Sequence, residues 1–379
     1  MAVFDQQKTT YTDVTPVERV ISDVISIIDP RDTPFIAAIG GLDAARSKFK
    51  LAQNGKMIEI LEDELDPLTG TVSNGTVDIT TNATNWTVAD ASVFQEGHVI
   101  LIDLEYMVVS AIDATNNTIT VGARTPYGGT NATHATNASI EIVGMARLEG
   151  ADADYGPVVD ITAPYNYTSI FQKGLNISGT QQVLSQHGIT NEYEYQAMKQ
   201  IPALLRLIEK ACFHGIRAEG SAITPRSMGG IGTFVTNNSV NAGDTIAKSD
   251  VDNAMEYVYL DGGNPDLLVL NPSVARDVKD LIDTSSFVRL AYENSQIGML
   301  PVQRFVTQYG ALQIVMSRFC PVAKAYVLDS KKVGLYSLRP FAWKELAVTG
   351  DSKKGEVIGE FSLMVANDKA HAYIYGITS

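Results

Sequence analysis

The histidines of this chain are the first residues to test for chemistry, because imidazole binds metal ions and transfers protons near neutral pH. The 379-residue sequence contains five of them: His98, His134, His187, His214 and His371. None lies in an H-E-x-x-H pattern or at another metal-ligand spacing. We therefore expect surface or packed histidines rather than metal ligands.

Two short motifs have the residue types of known sites but not the surrounding pattern. Ser47-Lys48-Phe49-Lys50 matches the S-x-x-K of lactamases, whose companion motifs are absent. Gly229-Gly230-Ile231-Gly232 is glycine-rich, but a phosphate-binding loop needs Gly-Lys-Ser/Thr at the start of a helix. Strand-like Thr233-Phe234-Val235 follows instead, so we expect a tight turn with positive φ.

An acidic stretch contains Glu149, Asp152, Asp154 and Asp160. A calcium loop needs oxygen ligands at alternate positions and a final glutamate about twelve residues on. Pro157-Val158-Val159 leads into a strand instead. A solvated loop, or a patch that faces a basic neighbour, is the expected structure.

The two cysteines, Cys212 and Cys320, are far apart and form no C-x-x-C pair, so a zinc or redox site is not indicated. We expect both to be small buried apolar residues. The sequence therefore assigns no catalytic, cofactor-binding or metal-binding residue, and it implies no cofactor.

Composition and charge exclude further classes of protein. The 29 basic and 43 acidic residues give a net charge of -14, which argues against binding nucleic acid by phosphate neutralisation. No apolar run approaches the ~18 residues of a membrane span. The polar segment Met1–Tyr11 lacks the apolar core of a signal peptide, so we expect a cytosolic protein.

The elements that would position any site begin with an arm and an inserted module. Thr15-Pro16-Val17-Glu18 predicts a helix start, and apolar residues at helical spacing continue to Ile28. Residues 72–145 contain short alternating strands separated by turns, which predicts a small β-barrel or sandwich. Trp86, Phe94 and Tyr106 are its expected core aromatics.

A long helix is predicted over residues 190–215, with Asn191 as its cap. Its expected apolar stripe is Ala197, Ile201, Leu204, Ile208 and Ala211, flanked by Met198, Leu205 and Cys212. Pro202 predicts a kink or a break, because proline removes a backbone hydrogen bond and clashes with the preceding turn.

Residues 220–340 predict helices on a central sheet. The expected elements are a helix capped by Ser249 and stopped by Gly262-Gly263, an apolar strand at 266–270, a helix opened by Asn271-Pro272, a hairpin around Tyr309-Gly310, and a strand at 325–328. Three C-terminal strands are predicted at 341–348, 356–366 and 370–377.

Several segments together resemble the major capsid proteins of tailed bacteriophages that have the Johnson fold, the Hong Kong ninety-seven-like fold. The order of the segments carries the resemblance: Thr33-Pro34-Phe35, the N-Y-T-x-I-F strand at 166–171, Ser178-Gly179-Thr180-Gln181, the helix from Asn191-Glu192 to Ala211, Arg226 to Ile231, Asn271-Pro272 and Thr307 to Gly310. The module at 72–145 departs from the minimal fold.

The resemblance implies an α+β fold with a small all-β insertion and five parts. These are an N-terminal arm (1–47), an extended loop (48–71 and 146–180), the inserted module (72–145), a peripheral domain with the spine helix (181–221 and 341–379) and an axial domain (222–340).

The resemblance also implies a function. The chain would be a structural subunit, not an enzyme, that self-assembles into hexamers and pentamers of an icosahedral virion shell around double-stranded DNA. Its expected partners are copies of itself, a portal, a separate scaffold or cement protein, and DNA by proximity only, with no membrane. Assembly would take place in the cytoplasm of the host bacterium. Two alternatives stay open: a decoration or host-attachment protein that binds through the inserted module, and a small-molecule α/β enzyme.

Overall fold

The computed structural model describes residues 32–51, 55–73, 79–80, 83–124, 127, 131–151, 156, 159–184, 191–275 and 303–378. The chain forms two compact units, one of residues 1–60 and 164–379 and one of Leu61–Ala163. The predicted arm helix at 15–28, the predicted strand residues 76–78, His187 and most of the helix after Asn271-Pro272 lie outside the described residues.

The helices are α1 (Pro34–Ala38), α2 (Ala44–Lys48), α3 (Gly179–Val183), α4 (Glu192–His214), α5 (Ile231–Phe234) and α6 (Lys248–Leu260). The first nine strands are β1 (Met57–Glu59), β2 (Thr69–Thr71), β3 (Asn85–Thr87), β4 (His98–Ile102), β5 (Glu105–Asp113), β6 (Thr118–Val121), β7 (Ser139–Met145), β8 (Tyr165–Tyr167) and β9 (Ser169–Ser178). The others are β10 (Asn238–Asp244), β11 (Leu267–Leu270), β12 (Gln303–Thr307), β13 (Gly310–Met316), β14 (Lys324–Leu328), β15 (Val333–Glu345), β16 (Ser352–Val365) and β17 (Ala372–Ile377).

The unit Leu61–Ala163 is a six-stranded antiparallel sheet in the order β2-β7-β4-β5-β6-β3. Alternate residues of its strands point into one apolar core, which includes Trp86 and Phe94. Tyr106 is 38% exposed on the other face, so its predicted place in the core is wrong. The unit starts before and ends after the 72–145 module predicted from composition.

The larger unit contains a mixed six-stranded sheet in the order β10-β17-β14-β11-β13-β12. All four residues of β11 are buried at its centre, as the unbroken apolar run predicts. One face of the sheet packs on α6, and the other face packs on a core that includes Phe35 of α1 and Ile208 of α4. β17 belongs to this sheet rather than to a sheet with the two preceding C-terminal strands.

A second sheet of the larger unit joins β15, β16 and β9. α4 packs on β9 and β16, and its buried residues include Leu204, Ile208 and Cys212. The side chain of Asn191 accepts hydrogen bonds from the amides of Tyr193 and Glu194, which confirms the predicted cap.

Three features of the helices differ from the sequence-based expectations. α4 continues through Pro202, so the break that was one of the two predicted outcomes does not occur. Two residues were wrongly placed on the buried stripe of α4, since Ile201 is 43% exposed and Met198 is 73% exposed. α6 begins after Ala247 rather than Ser249, and the Asp250 carboxylate accepts a hydrogen bond from the Ala247 amide.

The glycine-rich segment also differs from expectation. Neither Gly229 nor Gly230 has positive φ, and residues 231–234 form the short helix α5 instead of a strand. Glycine is required at 230 by close approach, since an added Cβ would lie 2.8 Å from the Cys212 carbonyl oxygen and 3.0 Å from the Gly215 nitrogen.

Candidate functional site

The S-x-x-K motif forms no pair of nucleophile and base: its lysine, Lys50, is exposed, and the Ser47 hydroxyl donates a hydrogen bond to the Ala44 carbonyl oxygen. Lys48, inside the motif, has a structural role. Lys48 Nζ donates hydrogen bonds to the carbonyl oxygens of Ile39, Ser330 and Val333, at 2.5, 2.5 and 2.7 Å. Burial lowers the pKa of Lys48, and the carboxylates of Asp266 and Asp329 oppose that shift. Its hydrogen bonds hold α2 to the strand region that it packs against, and none is directed at a hydroxyl nucleophile.

Three of the four described histidines make local contacts without a carboxylate partner. His98 Nδ1 accepts a hydrogen bond from the Gln95 amide, and burial lowers the pKa of His98. His214 Nε2 lies 3.0 Å from the Phe319 carbonyl oxygen. His371 is fully buried, and desolvation lowers its pKa to about 4. Its ring therefore accepts from the Asp329 amide and donates to the Ala366 carbonyl as a neutral imidazole.

The remaining histidine belongs to a buried ionic cluster in the Leu61–Ala163 unit. His134 Nδ1 lies 2.7 Å from Asp103 Oδ2, and His134 Nε2 lies 2.9 Å from Glu105 Oε2. Arg124 donates two hydrogen bonds to the Glu105 carboxylate at 2.5 and 2.7 Å, and its guanidinium lies over the Trp86 ring. Burial raises the pKa of Glu105, but the bonds from Arg124 and His134 outweigh it and hold that pKa below its usual value.

A second buried carboxylate holds β16 to its neighbours. Glu360 accepts a hydrogen bond from Thr168 Oγ1 at 2.6 Å, and it is paired with Arg226 and, at 3.0 Å, with Arg339. Burial raises the pKa of Glu360, but Thr168 and the two arginines hold it below its usual value. The only sequence signal for this cluster was a glutamate at a core position of an apolar strand.

The third buried carboxyl group is Glu209 of α4, which sequence reasoning missed. Burial raises its pKa to about 7, against the hydrogen bond from Ser317 and the nearby amides of Phe35 and Ile36. Cys212 and Cys320 are buried beside it as reduced thiols, as predicted, and burial raises the pKa of each. These groups are buried within the main core.

Within the described ranges, no three histidine, cysteine, aspartate or glutamate side chains are grouped to hold a metal ion. An open depression is lined by Lys56, Ile170, residues 219–221 and residues 224–226, and Lys56 and Glu219 form an ion pair of 3.1 Å there. None of the described helices is long and apolar enough to cross a bilayer.

The larger unit instead exposes apolar side chains of the kind that form protein interfaces. On α4, Met198 is 73% exposed and Leu207 is 53% exposed. Val183 and Leu184, at the end of α3, are also exposed. These residues make the surface of this unit, rather than an internal pocket, the candidate functional site.

The fold is that of tailed-phage capsid proteins, the Johnson fold. The capsid asymmetric unit of cyanophage A-1(L) superimposes with a TM-score of 0.53 at 11% identity, covering 98% of this chain and 100% of that one. The capsid of a native GTA particle superimposes with a TM-score of 0.52 at 12% identity, covering 99% of this chain and 100% of that one.

The sequence defines the family within this fold class. Residues 4–378 match the SU10 major capsid protein family, and the chain belongs to that family. No curated protein matches the chain in sequence. The chain is therefore a structural capsid subunit that assembles into a multimeric shell and is located in the virion.

Proposed function

We propose that copies of this chain form the hexamers and pentamers of an icosahedral shell that encloses double-stranded DNA, and that the chain has no enzymatic activity. Family membership across residues 4–378 carries the proposal. The exposed Met198, Ile201 and Leu207 of α4 support it, because apolar surface of this kind becomes buried when subunits associate.

The partners follow from the same assignment. The shell would include a portal and use a separate scaffold or cement protein, and it would assemble in the cytoplasm of the host bacterium without a membrane. Packaged DNA would lie near the subunit without sequence-specific binding, because the net charge of -14 opposes phosphate contacts.

Each segment of the chain would correspond to one part of the capsid fold. Residues 1–47 would be the arm, 48–71 and 146–180 the extended loop, 181–221 and 341–379 the peripheral domain, and 222–340 the axial domain. The pairing of β17 with β10 and β14 favours adding 372–377 to the axial domain. The Leu61–Ala163 unit favours wider bounds for the inserted module than 72–145.

Electron microscopy of the purified chain tests the proposal directly. We expect shells or capsomer rings, and uniform small oligomers would contradict it.

Deleting residues 1–30 should leave a folded subunit that forms no shells. The double variant Met198→Glu/Ile201→Glu should behave in the same way, whereas Met198→Leu/Ile201→Leu keeps the surface apolar and should assemble.

A further inference from the structure

The negative charge of the chain is concentrated in the Leu61–Ala163 unit. Residues 61–163 contain 15 of the 43 acidic residues but only 2 of the 29 basic ones, and no lysine. This segment therefore accounts for 13 of the 14 net negative charges. One of its two arginines, Arg124, is already bound to the buried Glu105 carboxylate.

The same unit has an apolar outer sheet face. On this face Val99 of β4 pairs with Val108 of β5, and Leu101 pairs with Tyr106. Val143 lies in β7 between Gly144, which pairs with Val99, and Ile142, which pairs with Ile100, and it is 52% exposed. A one-sided antiparallel sheet ordinarily presents polar residues to water on this face. Glu141, directly opposite Leu101 on β7, places a carboxylate at the border of the apolar area.

The turn between β4 and β5, at the edge of this face, is held by hydrogen bonds to the buried cluster. Leu104 is 83% exposed at the turn between β4 and β5. Its neighbour Asp103, with φ of 52°, is hydrogen-bonded to His134, and its other neighbour Glu105 is held by Arg124 and His134. Because both flanking residues are anchored in the buried cluster, the apolar turn is presented in one conformation, which lowers the entropic cost of binding.

The negative charge of the Leu61–Ala163 unit determines which class of partner can bind this face. Nucleic acid and anionic membranes carry the same sign as the unit, and so does the same face of a second copy, so electrostatic repulsion opposes all three. A protein surface with an apolar centre and a lysine- or arginine-rich border fits both features. We propose that the outer face of β7, β4 and β5, with Leu104 at its edge, binds a basic protein partner that is a different chain.

Binding of defined peptides to the full-length chain tests this proposal, which does not depend on shell assembly. The probes are a short peptide that alternates lysine with leucine, the same peptide with serine for leucine, and one that alternates glutamate with leucine. We expect only the lysine-leucine peptide to bind. Its affinity should fall at least ~10-fold when ionic strength rises from about 0.01 M to about 1 M, since the Debye length shrinks from roughly 30 Å to roughly 3 Å.

A matched pair of variants locates the binding. Leu104→Ser/Tyr106→Ser removes the two exposed side chains of the proposed face, and we expect it to lower the affinity ~10-fold or more. Tyr259→Ser/Leu260→Ser removes a similarly exposed pair on α6 of the other unit and should change nothing. A thermal melt verifies that both variants are folded, which is expected because all four side chains are exposed.

Four outcomes would overturn the proposal. The first is that the lysine-leucine peptide does not bind, and the second is that the lysine-serine or the glutamate-leucine peptide binds with the same affinity. The third is an equal loss of affinity in both variants, and the fourth is self-association in sedimentation that is abolished by Leu104→Ser/Tyr106→Ser. The last result would make a second copy the occupant. Shell formation by the same samples reports separately on the capsid function.

Discussion

Glu209, on the buried face of α4, accepts a 2.5 Å hydrogen bond from the hydroxyl of Ser317, which directly follows β13. Both side chains are fully buried, and the bond therefore links the long helix to the six-stranded sheet inside the main core. A carboxyl group at such a position is stable as the neutral acid, because burial penalises its ionised form.

The Glu209 carboxyl group should make the stability of the subunit depend on pH. Its folded pKa of about 7 lies above its ordinary value of 4.5. Below about pH 4.5 the carboxyl group is protonated in both the folded and the unfolded chain, so its burial does not lower the free energy of unfolding. As pH rises towards 7, the unfolded chain loses its proton first, and the free energy of unfolding falls. Glu209→Gln removes this loss. We expect it to be more stable than the parent at about pH 8, by on the order of 3 kcal/mol, and equal to it at about pH 4.

Melting temperatures of assembly-deficient samples at the two pH values measure the effect. Glu194→Gln is the control, since Glu194 is exposed on the same helix and should show no comparable difference. An identical pH profile for the parent and Glu209→Gln would show that the buried carboxyl group does not govern it.

Two leucines of α4 test the assignment of its buried face. Leu204 is 1% exposed and Leu207 is 53% exposed. Leu204→Ala should cost about 2–5 kcal/mol through lost burial and the cavity that remains. Leu207→Ala should cost under ~0.5 kcal/mol, because it is a surface substitution. Denaturant titrations of the two variants decide this, and equal costs would mean that the helix face is misplaced.

The arginine pair around Glu360 should stabilise the fold through its charge. Glu360→Gln keeps the shape but removes the ionised acceptor shared by Arg226 and Arg339, at an expected cost of about 1–3 kcal/mol. The folded pKa is lowered, so this contribution is present above the ordinary pKa and is lost as pH falls through the folded one. The difference in the free energy of unfolding between the parent and Glu360→Gln should therefore become smaller at acidic pH. Glu345→Gln, from an exposed pair with Lys353, should cost almost nothing.

Gly230 should tolerate no side chain, in contrast to a glycine in a strand. Gly230→Ala forces a Cβ against the backbone of Cys212 and Gly215, and we expect a loss of about 1–3 kcal/mol. Gly174→Ala is the matched change in β9, where the nearest atom to the new Cβ is 4.0 Å away. Equal melting temperatures of the two variants would contradict the close approach of Gly230 to the backbone of Cys212 and Gly215.

The 61–163 segment should fold alone, and the shorter segment 72–145 should be less stable. The shorter segment lacks β2, which pairs with β7 and brings Gly70 against the Phe94 ring. Amide exchange of the two fragments measures this. We expect strongly protected amides in 61–163 and weaker protection in 72–145, and no protected amides in the longer fragment would rule out independent folding.

Local pattern determined much of the fold from the sequence alone. The cap at Asn191, the buried strand Leu267–Leu270 and the hairpin around Tyr309-Gly310 depend on residues within a few positions of each other, so neighbouring residue types were enough to predict them. The family resemblance was also carried by short segments in a fixed order, and the match over residues 4–378 confirmed it.

Only the tertiary structure decided the contacts between distant parts of the chain. Glu209 and Ser317 are 108 residues apart, and Glu360 lies 192 residues from Thr168, so no local pattern indicated that these carboxyl groups would be buried together with their partners. The exposure of Ile201 had the same origin, because helical periodicity gives the direction of a side chain but not the length of helix that its neighbours cover. The pairing of β17 with β10 and β14 likewise joins strands that are distant in the sequence, so it is a property of the assembled fold rather than of the strand's own residues.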